Sequence, residues 1–257
     1  MKRQQLEHLL RASGAIIGET QFFVIGSQSV LGKYPNAPQE LLWSMEVDLF
    51  AKNHPEKTDN LNVIGELSPF HDSHGYYADP VDEKTATLPK GWKGRLINVK
   101  SVDTGGVTGL CLDPHDLFVS KVAAGREKDI EFVKVMIEHD MVQKERVLQL
   151  AATVANPKDD LGKSERIIAR ITGLYGQVKH VEPTHLNERT GRYTGEILSM
   201  SDTIVQQDAG RGKVIYHDAK KLDKLPWLGQ VHTIIYKDGV GQVSDPPTKA
   251  KDKALGR

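Results

Sequence analysis

Trp43-Ser44-Met45-Glu46-Val47-Asp48-Leu49-Phe50 alternates residue by residue: Met45, Val47 and Leu49 fall on one face of an extended segment, Glu46 and Asp48 on the other. Such alternation predicts a strand with one face turned to a core. The two carboxylates project side by side, and like charges so close destabilise each other unless a counter-charge intervenes. A divalent cation removes the conflict. Magnesium, held by a small number of carboxylates and the phosphates of its substrate, suits the pair. A strand whose polar face meets water shows the same alternation, so the dyad alone leaves both readings open.

Upstream, Gln21-Phe22-Phe23-Val24-Ile25 is a short apolar run stopped by Gly26, which predicts a buried strand. A helix is expected to open at Ser27 and run to Leu31. Glycine at that junction lets the backbone approach phosphate oxygens, while the Ser27 hydroxyl and the helix-start amides can hold a triphosphate. Lys33 to Gln39, with two prolines, reads as loop. The leucines at 6, 9 and 10 mark a first helix ending near Ser13-Gly14. Further strands are expected at Arg95–Lys100 and from Tyr76-Tyr77. Asp113-Pro114-His115-Asp116 is a helix start, with a capping acid and a proline at the first turn. That helix runs to Ala124 and stops at Gly125; others cover Glu127–Glu138 and Lys144–Ala155. Residues 1–155 therefore read as an α+β domain, a mixed sheet with flanking helices.

Gly26-Ser27 followed by Glu46-Val47-Asp48 resembles the nucleotidyltransferase superfamily. The resemblance implies magnesium at Glu46 and Asp48 and a nucleoside triphosphate at Gly26 and Ser27. There are two departures from the pattern. Eighteen residues separate Ser27 from Glu46, a long spacer for the family. The third acid that many members carry on a later strand is not evident either: Arg95–Lys100 has none, and Asp103 lies beyond it. Leu112 to Leu117, then Lys121, Ala123, Arg126 and Lys128-Asp129, resemble the toxin-like, AbiEii-related branch. That resemblance implies Lys121 facing the phosphates, with Arg126, Lys128 and Asp129 completing the site. Asp129 would orient or deprotonate an attacking hydroxyl. The implied activity is transfer of a nucleotidyl or phosphoryl group to a hydroxyl on RNA or protein, and an antitoxin would be the partner. As bare sequence, Arg126 to Asp129 is also an ordinary solvated helix start.

Asn156 to Lys163 reads as a linker and Ser164 to Tyr175 as a helix, so 156–184 is expected to connect two domains. Beyond it, glycine-punctuated β-prone runs at Gly195–Met200, Thr203–Gln207, Val214–His217 and Val231–Tyr236 predict a small β-rich, barrel-like or curled domain over 185–245. Residues 246–257 are expected to be a disordered tail. Gly191 to Ile197, Val205 to Gln207, Gly210 to Gly212, His217 and Gly229 to Gly239 resemble the KfrB domain of conjugative plasmids and other mobile elements. That resemblance opens an alternative to catalysis: a non-catalytic plasmid accessory protein whose C-terminal domain binds DNA or a protein partner. His217 reads as a barrel histidine, and Arg192, Arg211 and Lys213 as exposed turn charges. His71-Asp72-Ser73-His74 lacks third and fourth ligands for zinc and reads as loop.

The composition of the 257 residues, 39% hydrophobic and 26% charged, is that of an ordinary globular protein. No apolar run approaches the roughly 18 residues needed to cross a bilayer, and no secretory leader is expected. The single Cys111 has no internal disulfide partner, which suits a reducing cytoplasm. From Pro157 onward there are 17 Lys and Arg against 13 Asp and Glu, and before it 17 against 21. This mild basic bias reads as a solvated face.

Overall fold

The sheet of the first unit forms around β2 (Glu46–Ala51), the alternating strand of the sequence. β1 (Gln21–Val24) pairs with it antiparallel, and β3 (Tyr77–Pro80) pairs with its other edge in parallel. β5 (Thr108–Cys111) runs parallel to β1, and β4 (Ile97–Val99) closes the order β3-β2-β1-β5-β4. The computed structural model describes residues 1–156, 160–177, 186–200, 203–210 and 213–244. The chain divides into two compact units, Met1–His180 and Val181–Arg257.

Val47 and Leu49 are fully buried, as the alternation requires, but Met45, assigned to the same face, lies before the strand begins and is exposed. α1 (Arg3–Ile17) covers the sheet with Leu6, Leu9 and Leu10, all buried. It comes so close that a methyl group on Gly109 of β5 would stand 2.7 Å from Leu10. The helix does not stop at Ser13-Gly14. It passes through Gly14, where a methyl would meet Val107 at 2.4 Å, and ends at Gly18 in the left-handed conformation. Gly14 is thus a packing glycine rather than a helix terminator.

α2 (Pro69–His74) is a short helix capped by Ser68, where the sequence reads as loop. Its histidines take separate partners: His71 accepts from the Leu67 amide and packs at a tilt against Tyr77, while His74 packs against His8 and Phe70. α3 (Pro114–Ala124) begins on the Asp113 cap and ends at Gly125; α4 (Glu127–Glu138) follows at once. Asp116 of α3 is fully buried and takes two hydrogen bonds from Arg95, at 2.8 and 2.7 Å. α5 (Lys144–Ala151) is shorter than expected. α6 (Lys163–Gln177) buries Ile167, Ile171 and Leu174 in the core of the first unit. Its alternation of apolar positions at helical spacing gives it a face that needs that cover.

The second unit is one antiparallel sheet, β6 (Arg192–Met200), β7 (Ile204–Gly210), β8 (Lys213–Asp218), β9 (Val231–Lys237) and β10 (Val240–Val243). Its order is β10-β9-β6-β7-β8, over a small core of Ile197, Val205, Ile234, Tyr236 and Val243. Of the barrel-like or curled form expected, a closed barrel is corrected to an open sheet. Among the described residues β8 and β10 form its two edges and do not pair. β10 has only four residues, and its side away from β9 gains a single bridge, Leu222 to Gly241. Register shifts near Ile197 and Asp208 bend the strands without closing them. The tail expected at 246–257, the end of the connection at 178–184, and Arg211 lie outside the described residues. No helix among the described residues is long and apolar enough to cross a membrane.

Candidate functional site

The β1–β2 ladder continues past its named ends, with the Ile25 amide donating to the Asp48 carbonyl at 3.1 Å. This sets Gly26 directly beside Asp48. A methyl group on Gly26 would stand 1.5 Å from Asp48 Oδ2, so the carboxylate occupies the space a side chain would fill. The sequence assigns Gly26 to phosphate approach; the geometry shows that it first makes room for the acid. Ser27 opens a six-residue 3-10 turn (Ser27–Gly32) instead of the expected α-helix.

The parallel pairing of β2 with β3 places Tyr77 opposite Glu46 and Asp79 opposite Asp48. Cross-strand partners share a face, so Asp79 joins the two acids. The sequence search, confined to 95–103, misses it. The available signal is Tyr77-Ala78-Asp79, the same alternation as β2 on a shorter strand. Tyr77 donates its hydroxyl to Glu46 Oε2 at 3.3 Å. Burial first, then the charges of Glu46 and Asp79, push the Asp48 carboxyl up to about 6. Burial and the charges of Glu46 and Glu66 likewise raise Asp79.

Opposite stand residues of α3 and α4. Lys121 Nζ donates to Asp129 Oδ1 at 2.9 Å and lies over the Phe132 ring. Arg126 Nε donates to Asp129 Oδ2 at 2.7 Å. Asp129 is fully buried with both oxygens engaged. Burial alone would raise its carboxyl, but the bonds from Arg126 and Lys121 outweigh it and hold the group below the usual carboxylate range. Such a group is a poor proton acceptor and a firm anchor for two cations. Lys128 is exposed.

Gly26, Ser27, Glu46, Asp48, Lys121, Arg126, Lys128 and Asp129 all line one cleft of about 1140 Å³, together with Tyr77 and Asp79. Among the described residues no three acidic, imidazole or thiolate groups are already drawn together as a metal cage. The cleft offers adjacent carboxylates on one wall and cations on the other.

A mixed sheet with Gly-Ser at the end of β1, acids on β2 and a lysine-bearing helix defines a nucleotidyltransferase-like domain. Residues 5–162 match the family described as nucleotidyltransferase of unknown function (DUF6036). The match spans more than half of the chain, and the chain belongs to that family. Residues 192–245 match the KfrB domain. No significant match to a curated protein or to a solved structure is found.

Within the second unit, His217 is buried between Gln207 and Tyr236. Its Nε2 lies 3.0 Å from Gln207 Oε1 and its Nδ1 3.0 Å from the Tyr236 hydroxyl. Burial lowers the imidazole to about 4, so it is neutral near pH 7 and structural. Its folded-state value lies below the unfolded one. Its contribution is therefore complete above about pH 6.5 and is lost as pH falls toward 4. His217→Ala is expected to cost about 2 kcal/mol, because Gln207 and Tyr236 lose a buried partner. Hydrogen exchange of the β7 and β8 amides checks it; unchanged protection would mean the network is dispensable.

Proposed function

We propose that the first unit is a magnesium-dependent nucleotidyltransferase that binds a nucleoside triphosphate and transfers a nucleotidyl or phosphoryl group to an acceptor hydroxyl on RNA or protein. The observation that carries this reading is the meeting of Gly26, Asp48 and Asp79 on one sheet face opposite Lys121. A carboxyl raised by burial and then by acidic neighbours, in a cleft, supports a place for a cation. Magnesium uses one or two carboxylates and completes its shell with phosphate oxygens and water, so it needs no preformed cage of three. Glu46 and Asp48 would hold it, with Tyr77 fixing Glu46. The ion would supply charge neutralisation on the phosphates.

The chain's own residues do the rest. Ser27 and the amides of its turn hold phosphate oxygens. Lys121, Arg126 and Lys128 offset the charge that builds on the transferred and leaving groups. The acceptor oxygen forms a bond to phosphorus as the bond from phosphorus to the leaving group breaks, which is pyrophosphate in nucleotidyl transfer and the nucleoside diphosphate in phosphoryl transfer. Asp79, which holds a proton more tightly than an ordinary aspartate, receives the hydroxyl proton. Asp129 positions Lys121 and Arg126 rather than acting as a base.

The KfrB match supports a second reading, in which the second unit binds DNA or a protein partner of a mobile element and the first is a non-catalytic scaffold. Asp79 weakens the case for a degenerate site, since it supplies the acid that the strand at 95–100 lacks. Toxicity held in check by an antitoxin belongs to the catalytic reading: expression of the chain would then arrest growth, and Asp48→Ala would relieve it.

Calorimetric titration with each nucleoside triphosphate and Mg²⁺ tests the proposal. At least one is expected to bind, with binding weakened tenfold or more, about 1.4 kcal/mol, in both Glu46→Ala and Asp48→Ala. Absence of heat for every triphosphate, or heats unchanged in both variants, overturns it.

A further inference from the structure

Trp43 lines the charged cleft, yet 79% of it is exposed, and Met45 beside it is 53% exposed. An indole is the largest apolar side chain, and leaving it in water forgoes the burial that usually places it. Exposure alone says little, because Leu67 and Trp227 are exposed too. What sets Trp43 apart from these two is that it lines the charged cleft, and the backbone on both sides of it is tied down. The Met1 nitrogen donates to the carbonyls of Leu42 and Ser44. Gln28 Nε2 donates to the same Ser44 carbonyl at 3.4 Å, and the Glu46 amide donates to Ser44 Oγ at 3.2 Å. Leu41 is buried just before the loop. The loop is held, and the ring is held out.

A ligand that fills this cleft meets cations at Lys121, Arg126 and Lys128 and a flat apolar surface at its rim. Phosphate and a planar ring in one molecule make a nucleotide. One indole and one thioether fall far short of the roughly 800 Å² per partner of a stable protein interface, so a folded protein is a poor match. We propose that Trp43, with Met45, is a nucleobase-stacking platform. The base belongs either to the triphosphate or to a single-stranded nucleic-acid acceptor. The proposal rests on the nucleotide reading of the cleft. A tethered backbone carrying an exposed ring loses little order on binding, which favours stacking.

The test uses the full chain with Mg²⁺ and three probes: the best-bound nucleoside triphosphate, inorganic tripolyphosphate, and a short single-stranded RNA or DNA oligonucleotide. Trp43→Ala is expected to weaken at least one base-bearing probe about tenfold. It is expected to leave tripolyphosphate unchanged, and Trp43→Phe should retain most of the affinity. Loss confined to the triphosphate assigns the base to the donor; loss on the oligonucleotide assigns it to the acceptor. Equal loss on tripolyphosphate, or no loss on any base-bearing probe, overturns the platform. If Asp48→Ala abolishes triphosphate binding while Trp43→Ala is silent, the platform alone falls. If the oligonucleotide depends on Trp43 while no triphosphate binds, the nucleotidyltransferase reading falls and the platform stands. Failure of every probe to bind removes both.

Discussion

Asp48→Asn is expected to give a first unit that is more stable than the parent at pH 7 and that transfers nothing. The parent holds a carboxylate that burial and two acidic neighbours push up to about 6. Because the folded-state value lies above the unfolded one, the native state grips the proton more tightly. Stability from this group is complete below about pH 4 and is lost as pH rises through about 6. At pH 7 the unliganded parent therefore carries a strain of about 3 kcal/mol that the neutral amide removes. At pH 5 the parent is largely protonated at this position and the advantage of the variant should shrink. Hydrogen exchange of the β1 and β2 amides, at both pH values and without metal, measures the difference. Magnesium with a triphosphate should reverse the order, stabilising the parent and not the variant. Equal protection at pH 7, with no change on acidification, would show that Asp48 is not under electrostatic load.

Asp129→Ala is expected to cost about 3 kcal/mol, because removing one partner from a buried pair leaves a cation without compensation. Lys121 has only 11% of its side chain exposed, so its ammonium would be left half-desolvated beside Phe132. Arg126, with 62% of its side chain exposed, can turn to water and adds less. Asp129→Asn keeps the shape and one acceptor, and should fall between the parent and the alanine variant. Urea denaturation of the three proteins gives the ranking. If Asp129 were the base, Asn would abolish transfer while leaving triphosphate affinity intact. As a positioning residue it should instead lose affinity and rate together. A stable, fully binding alanine variant would end the anchoring account.

The chain shows which parts of such a site can be read before folding. β2 is legible because its alternation is long and its acids fall on one face. α3 is legible because Asp113, Pro114 and Gly125 punctuate both its ends. The convergence of Lys121, Arg126 and Asp129 with the β2 acids is not local information; in the sequence only a family resemblance implies it, and the cleft brings these residues together. Asp79 stays hidden for another reason. Its strand has four residues, too short for periodicity to stand out, and its value comes from a register that pairs it with a residue 31 positions earlier. β5, Thr-Gly-Leu-Cys, is not among the strands expected from the sequence; its four residues are too few for periodicity, and its Gly109 admits Leu10 of α1. The β-rich C-terminal unit is legible from its short glycine-punctuated runs, but whether its edges close into a barrel depends on edge pairing, which no strand pattern contains.

The contact between Gly26 and Asp48 ties the histories of the two positions together. A methyl at position 26 collides with the carboxylate at 48, so alanine at 26 would first demand a smaller residue at 48. The carboxylate atoms 1.5 and 2.3 Å from such a methyl leave with the acid, but the Cβ of any other side chain at 48 still stands 2.8 Å from it, so the glycine stays constrained even in descendants that have given up the acid.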